Sequence, residues 1–195
     1  MIYAVGIIVS YLLGSVPFAL LVAKLAGKGD IRNVGSGNVG ATNVMRVGGL
    51  KLAGLVWLLD MGKAIASVFL GTYIGGEVFG ALCGFFAVFG HCYPVFLKFK
   101  GGKGNSSMFG ALIAVSPLSF VICGLEWLLV AFATGYSSAG AVVGFLVMPL
   151  LGFAISTNMG FVFIAISILC LWRHRGNISR LLNGTESKIE WKWKK

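Results

Sequence analysis

Six long apolar segments limit this chain to few folds. A helix needs about 20 apolar residues to cross the hydrocarbon core of a bilayer, and several of these segments approach that length. Only 11% of the 195 residues are charged, whereas a soluble domain carries about 25%. The sequence therefore predicts an all-α polytopic membrane protein that forms one domain over residues 1–195. The segments are Ile2–Leu25, Leu52–Ile74, Glu77–Leu97, Met108–Ala133, Ala139–Ile155 and Met159–Trp172.

The distribution of basic residues decides the number of spans. The net charge of +10 lies in short insertions beside apolar segments, which indicates membrane topology and not nucleic-acid binding. If Met108–Ala133 is one span, there are six spans and the basic insertions face opposite sides. If the chain turns at Pro117, there are seven, and all basic insertions share one face, which the positive-inside rule places in the cytoplasm. We predict seven spans with the N-terminus outside; the fourth helix is short or re-entrant, because about ten residues cover only ~15 Å.

Some residues inside the spans could be structural or functional. Asp60 and Lys63 lie one helical turn apart and are expected to pair, as a structural pair or as part of a site. His91 is expected to be a buried histidine of the bundle. The four cysteines have no metal-ligand spacing and are expected to be buried hydrophobic residues. A GxxxGxxxG row predicts close helix packing within the bundle rather than dimerisation: Gly76, Gly80 and Gly84.

The first hydrophilic insertion, "NVGSGNVGATNVMRVGG", predicts an anion site. Its GxGxxG pattern lacks the βαβ context of a dinucleotide fingerprint. Glycines let backbone amides approach a ligand, and hydroxyl, amide and guanidinium groups bind phosphate. The alternative is a flexible polar connector, which would need fewer donors. The donors are Ser36, Asn38, Thr42, Asn43 and Arg46, and the glycines among them are Gly35, Gly37 and Gly40.

Two further insertions carry similar groups. In "KFKGGKG", which is not a Walker A loop, Lys103 could deliver charge to a phosphate cradled by Gly101 and Gly102, while the other lysines mark the cytoplasmic side. In "RHRGNISRLLNGTE", His174 and Asn177 lie one turn apart and could face one site. Arg180 adds charge there, and Glu186 is expected to pair with an arginine. The final "EWKWKK" is expected to anchor the tail at the membrane interface.

The three motifs "GSGNVGATN", "KGGKG" and "RHRGNISRLLNGTE", in this order, resemble those of the PlsY family of bacterial acyl-phosphate:glycerol-3-phosphate acyltransferases, over essentially the whole chain. The resemblance implies transfer of a fatty acyl group from acyl phosphate to the 1-hydroxyl of glycerol-3-phosphate. The products are lysophosphatidic acid and phosphate, the first step of phospholipid synthesis. It implies a multi-pass protein of the bacterial inner membrane with its site on the cytoplasmic face. Acyl phosphate, glycerol-3-phosphate and membrane lipids are the expected partners; no cofactor, metal, nucleic acid or obligate protein partner is expected.

The chemistry expected is direct attack of the hydroxyl on the acyl carbonyl, because acyl phosphate is a mixed anhydride with a good leaving group. We expect the leaving phosphate to take the proton, with His174 as the second candidate base. An organophosphate transporter is the alternative class, although the chain shows no internal repeat; a CDP-alcohol phosphotransferase would need more aspartates. The expected catalytic residues are Ser36, Arg46, Lys103 and His174. The expected substrate-binding residues are Gly35, Gly37, Asn38, Gly40, Thr42, Asn43, Gly101, Gly102, Asn177 and Arg180.

Overall fold

The computed structural model describes residues 1–189, which form helices and no strands. This confirms the all-α prediction; the predicted anchor in the tail lies outside the described residues. The chain divides into two compact units, one from Met1 to Pro117 and one from Leu118 onward, and the single-domain prediction stays a prediction. The helices are α1 Ile2–Ser15, α2 Phe18–Leu25, α3 Ala41–Cys92, α4 Asn105–Val115, α5 Pro117–Thr134, α6 Ser137–Ile155 and α7 Thr157–Leu182, with 3-10 turns at Ile31–Asn33 and Val95–Leu97.

The helices are long and apolar enough for a multi-pass membrane protein. Over residues 1–189, five helical stretches could cross a membrane by length and composition: 2–25, 41–97, 117–134, 137–155 and 157–182. Many of their large apolar side chains are exposed, including Phe69, Leu129 and Ile168, each more than 60%. Such side chains suit lipid as the surrounding solvent.

Helix α3 folds back on itself at a glycine pair. Gly75 and Gly76 leave helical geometry, and Gly76 has φ 81°. Beyond this break the chain packs closely against the residues before it, since a Cβ on Gly80 would lie 2.1 Å from the Thr72 hydroxyl and one on Gly84 would lie 2.7 Å from Val68. The break falls between the predicted second and third spans. Gly80 and Gly84 of the GxxxGxxxG row therefore serve close packing inside the first unit as predicted, whereas a Cβ on Gly76, at the break, would meet nothing within 4 Å.

The first apolar stretch contains a break that the sequence reading did not include. Pro17 lacks an N–H and disfavours helical geometry at the preceding residue, and Val16 adopts extended geometry (φ −61°, ψ 120°). Helix α1 therefore ends at Ser15 and α2 begins at Phe18. The carbonyl of Val16 accepts a hydrogen bond from Lys63 Nζ at 3.0 Å, so the break supplies a polar partner within the apolar region.

The predicted turn at Pro117 is present. Ser116 is extended between α4 and α5, and α5 begins at Pro117. Helix α4 has 11 residues and is therefore about 16 Å long, which confirms a short fourth helix. It packs against α3 so closely that a Cβ on Gly110 would lie 2.3 Å from the carbonyl oxygen of Met61. Helix α4 thus places its N-terminus beside the middle of α3.

Candidate functional site

The first loop, residues 33–40, joins α2 to α3 and is shaped by Asn43. The side chain of Asn43 is 1% exposed. Its Nδ2 donates to the carbonyls of Ile31 at 2.8 Å and Val34 at 3.0 Å, and its Oδ1 accepts from the Ser36 amide at 2.9 Å. Because these bonds use both ends of its amide, Asn43 holds the curvature of the loop rather than extending into solvent.

The other predicted donors of the first loop and the start of α3 are exposed or half-buried, and the Ser36 hydroxyl also donates to Oδ1 of Asn43 at 3.3 Å. Ser36, Thr42 and Arg46 are exposed, and Asn38 is half-buried. Gly40 precedes the first turn of α3 and no side chain caps it. The first amides of a helix lack intrahelical acceptors and carry partial positive charge. The loop therefore presents hydroxyl, amide, guanidinium and helix N-terminal donors together, as phosphate binding requires.

The second loop, residues 98–104, lies directly on His91. The amide of Gly102 donates to the His91 carbonyl at 3.0 Å. A Cβ on Gly101 would lie 2.2 Å from that carbonyl oxygen, and one on Gly102 would lie 2.1 Å from the ring nitrogen Nε2 of His91. The two glycines are therefore needed for contact with the protein itself. Lys103, which follows them, is half-buried.

Helix α4 begins immediately after the second loop. Gly104 precedes it in left-handed geometry (φ 91°), with no side-chain cap. The first turn contains Ser106 and Ser107, and the Ser107 hydroxyl donates to the carbonyl of Asp60 at 3.1 Å. Lys103 thus stands next to a helix N-terminus, the combination of charge and amides that binds phosphate in many proteins.

Three buried ionisable residues lie beneath the second loop. Lys63 Nζ forms an ion pair with Oδ1 of Asp60 at 2.7 Å. It is also 3.1 Å from Nδ1 of His91, which lies 3.5 Å from the same Asp60 oxygen. We call Asp60, Lys63 and His91 the charge cluster. The Asp60–Lys63 pair is as predicted, but the part taken by His91 was not, because only the reversal of α3 brings it to residues 28 positions away.

One cleft of the first unit lies next to the charge cluster. Val39 of the first loop, Pro94 and Leu97 before the second, and all three residues of the charge cluster line it. The residues around the break in α1 and α2, including Val16, form the remaining wall. The cleft thus lies near both loops, but the predicted phosphate-binding donors, Lys103 among them, do not line it.

The third motif lies at the end of α7 in the second unit. His174 is 4% exposed, and its Nδ1 is 2.8 Å from the Cys170 carbonyl. A carbonyl only accepts, so Nδ1 carries the proton, and in the neutral ring Nε2 has the lone pair. His174 is thus held in the tautomer that can accept a proton or hydrogen bond through Nε2.

Glu186 binds the other two predicted residues of this motif. Its carboxylate accepts from Asn177 Nδ2 at 2.6 Å, from Arg180 Nε at 2.7 Å and from the Ser138 hydroxyl at 2.7 Å. Burial raises the pKa of Glu186, but these three hydrogen bonds and the Arg180 charge outweigh it and leave the pKa below its usual value. The predicted pairing with an arginine is confirmed, and Ser138 is a partner that no sequence pattern indicated.

Comparison with known proteins supplies the family context. The family model described as glycerol-3-phosphate acyltransferase matches residues 4–184. A glycerol-3-phosphate acyltransferase of Rhizobium etli is 46% identical over 183 residues, 93% of this chain and 89% of the relative. One of Agrobacterium fabrum is 42% identical, over 95% of this chain and 91% of the relative.

Two solved structures share the fold. Both are crystal structures of PlsY (YgiH), an integral membrane glycerol 3-phosphate acyltransferase. The glycerol 3-phosphate form has a TM-score of 0.91 and 39% identity, covering 96% of each chain. The lysophosphatidic acid form has a TM-score of 0.90 and 38% identity, covering 96% of this chain and 95% of the other.

Proposed function

This chain belongs to the glycerol-3-phosphate acyltransferase family, and we propose that it transfers a fatty acyl group from acyl phosphate to the 1-hydroxyl of glycerol-3-phosphate. The products are lysophosphatidic acid and inorganic phosphate. The observation that carries the proposal is the presence of two glycine-rich loops in the first unit of a membrane protein, each beside a helix N-terminus and a basic side chain. Both proposed substrates carry a phosphate, and one carries an acyl chain that a membrane-embedded protein can accept.

In the first loop, Ser36, Asn38 and Thr42 are assigned to the phosphate of the acyl donor. They act with the backbone amides around Gly35, Gly37 and Gly40. Asn43 supports them by fixing the loop. Arg46 and Lys103 are assigned to the phosphate of the acceptor and to the charge that develops on the leaving group. Positioning and charge neutralisation can supply much of the rate for so reactive a donor.

In the reaction itself, the 1-hydroxyl oxygen forms a bond to the acyl carbonyl carbon. The bond from that carbon to the phosphate oxygen breaks, and the hydroxyl proton passes to the departing phosphate. His174, Asn177 and Arg180 of the third motif orient the acceptor, with Glu186 holding the last two. His174 is the second candidate for the base, because its Nε2 can accept a proton.

We assign the chain to the bacterial inner membrane with seven crossings, the N-terminus outside and the active site on the cytoplasmic face. Reagents that label cysteine from one side test this topology. The four native cysteines are buried and give little background. Glu77→Cys and Asn158→Cys should react from outside, and Lys100→Cys from inside. Reaction of Lys100→Cys from outside would contradict the proposed orientation.

The activity is tested with the purified protein in detergent. Palmitoyl phosphate and glycerol-3-phosphate should give lysophosphatidic acid and one equivalent of phosphate without added coenzyme A. Palmitoyl-coenzyme A in place of palmitoyl phosphate should give no product. Product from the coenzyme A thioester alone would overturn the assignment of the donor. Uptake of glycerol-3-phosphate into proteoliposomes without acylation would favour a transporter instead.

The base is tested by comparing kcat and KM of His174→Ala. If the leaving phosphate takes the proton, the variant should lose mainly apparent affinity for glycerol-3-phosphate and keep most of its kcat. A fall in kcat of roughly 10²–10⁴-fold, typical of losing a general base, would assign the base to His174. A second test measures the pH–rate profile with an acyl donor whose phosphate has a different pKa, such as a thiophosphate analogue. The acidic limb of the pH–rate profile should then shift with the donor.

A further inference from the structure

We propose that the charge cluster is the support of the second loop, and that His91 is a positioning residue for acyl transfer that acts through Lys103. This inference rests on the proposed function, because it takes Lys103 to bind a substrate phosphate. It assigns a role to three buried residues that none of the three sequence motifs contains. These residues hold the second loop at a fixed distance from α3.

The ring of His91 joins the charge cluster to the loop. One nitrogen, Nδ1, is 3.1 Å from the Lys63 ammonium. The same nitrogen is 3.5 Å from Asp60 Oδ1, so Nδ1 faces both charged groups of the cluster. The Nε2 edge lies against Gly102, whose amide also bonds the His91 carbonyl. One residue therefore contacts the loop through both its backbone and its ring.

Lys63 fixes the orientation of that ring. Its ammonium contacts Asp60 Oδ1 at 2.7 Å, the Val16 carbonyl at 3.0 Å and His91 Nδ1. Val16 offers this carbonyl because Pro17 interrupts the helix there. Three partners around one ammonium leave the imidazole little freedom to rotate.

Such a cluster is costly in a membrane protein. The side chains of Asp60, Lys63 and His91 are 2%, 3% and 6% exposed, and buried ionisable groups in membrane segments are rare unless they serve a site. Apolar side chains could join these helices at least as well. Apolar side chains could not, however, place a polar ring nitrogen at a fixed position next to Gly102. The helix break at Pro17, the Asp60–Lys63 ion pair and His91 meet where the second loop contacts the protein. This arrangement favours a role in positioning the loop over the role of a purely structural pair.

Two substitutions of His91 separate support of the loop from general stability. The amide of His91→Gln reaches the position of Nε2 beneath Gly102, whereas that of His91→Asn reaches only the position of Nδ1. We expect His91→Gln to keep kcat/KM within about fivefold and His91→Asn to lose roughly tenfold or more, because a loop that shifts on losing the ring contact misplaces Lys103. The loss should lie mainly in KM for glycerol-3-phosphate.

A matched control is Val68→Ala. Val68 is 2% exposed in the same helix and packs in a cluster with Ala64, Ala87 and Ala111, none of which belongs to the second loop or to the charge cluster. It should lower the melting temperature and leave KM unchanged. In a Lys103→Arg background, His91→Asn should lower kcat/KM by a much smaller factor than it does alone. Both changes act on the same contact, that of residue 103 with the substrate phosphate. Val68→Ala should combine additively with Lys103→Arg.

Hydrogen exchange gives a reading that does not depend on activity. The Gly102 amide should exchange faster in His91→Asn and in Asp60→Asn than in wild type, and at the wild-type rate in Val68→Ala. Wild-type exchange and wild-type KM in purified His91→Asn would overturn the support role. If His91→Asn cannot be purified, exchange of the Gly102 amide in Asp60→Asn replaces it, and a wild-type rate there would likewise overturn the support role. If wild-type protein forms no lysophosphatidic acid, the proposed function fails while the exchange result still tests the support.

Discussion

The two glycine-rich loops of the first unit are built in opposite ways. The first is closed by its own neighbour Asn43, whose hydrogen-bond partners lie 7 to 12 residues away and include the amide and hydroxyl of Ser36. The second rests on His91, which is oriented by Lys63 from 28 residues away. Local bonding shapes the first loop, and the fold of the whole unit shapes the second.

The glycines of the two loops also do different work. Gly35 and Gly37 have φ of 62° and 68°, the left-handed region in which side chains are strained. Gly101 and Gly102 are not in that region, but a side chain there would collide with His91 or its carbonyl. Glycine thus permits left-handed backbone geometry in the first loop and close packing against His91 in the second.

The largest expected effect is that of Gly102→Ala. Its methyl group would come within 2.1 Å of His91 Nε2, so the loop or the ring must move. A displacement of about 1 Å at a catalytic group can cost ~10²-fold in rate, and we expect about 1% of wild-type kcat/KM or less. Gly62→Ala is the control, since a Cβ there meets nothing within 4 Å. Equal activity in the two variants would remove the contrast between the loops.

Loss of the basic side chain associated with each loop, Arg46 in α3 for the first and Lys103 for the second, comes next. Lys103→Ala and Arg46→Ala should each lower kcat/KM by roughly ten- to a hundredfold or more, because a hydrogen bond to a charged group contributes about 1.5–3 kcal/mol. Both proteins should insert and purify normally. The measurement is steady-state kinetics with both substrates varied. Near-wild-type turnover in either variant would remove that residue from the site.

A smaller effect is expected from Asn43→Asp. The substitution keeps the shape and the acceptor for Ser36, but it points carboxylate oxygen at the carbonyls of Ile31 and Val34 in place of a donor. A buried group left unsatisfied costs about 1–3 kcal/mol, so the first loop should loosen. We expect a lower melting temperature, faster exchange at the Ser36 amide and a KM for acyl phosphate raised roughly tenfold. Exchange at Gly102 should not change.

The smallest effect should follow loss of the exposed Asp30–Arg32 pair. Hydrogen bonds from Arg32 lower the pKa of Asp30 to about 2. A depressed carboxyl pKa stabilises the fold above the unfolded value of ~3.9 and loses that effect as the pH falls toward 2. At pH 6–8 the pair is therefore fully formed and gives no pH dependence. Arg32→Gln should change kcat/KM less than about twofold, as for most exposed ion pairs; a larger change would show that this pair shapes the first loop.

The sequence was sufficient for features that depend on residues near one another in the chain. Apolar segments and few charges predicted membrane helices, and Pro117 predicted the start of α5. The three motifs indicated the family, because their glycines and donors are contiguous. Asp60 and Lys63 were expected to pair because they are one helical turn apart.

Only the tertiary structure decided which distant residues support those motifs. The reversal of α3 brings His91 to Lys63, and the break at Pro17 offers the Val16 carbonyl to the same ammonium, 47 residues away. Ser138 reaches Glu186 across 48 residues. No local pattern encodes such contacts, because the sequence around a buried histidine or serine in an apolar segment does not reveal which distant residue it contacts. Its partner is set by helix packing, which depends on the whole unit.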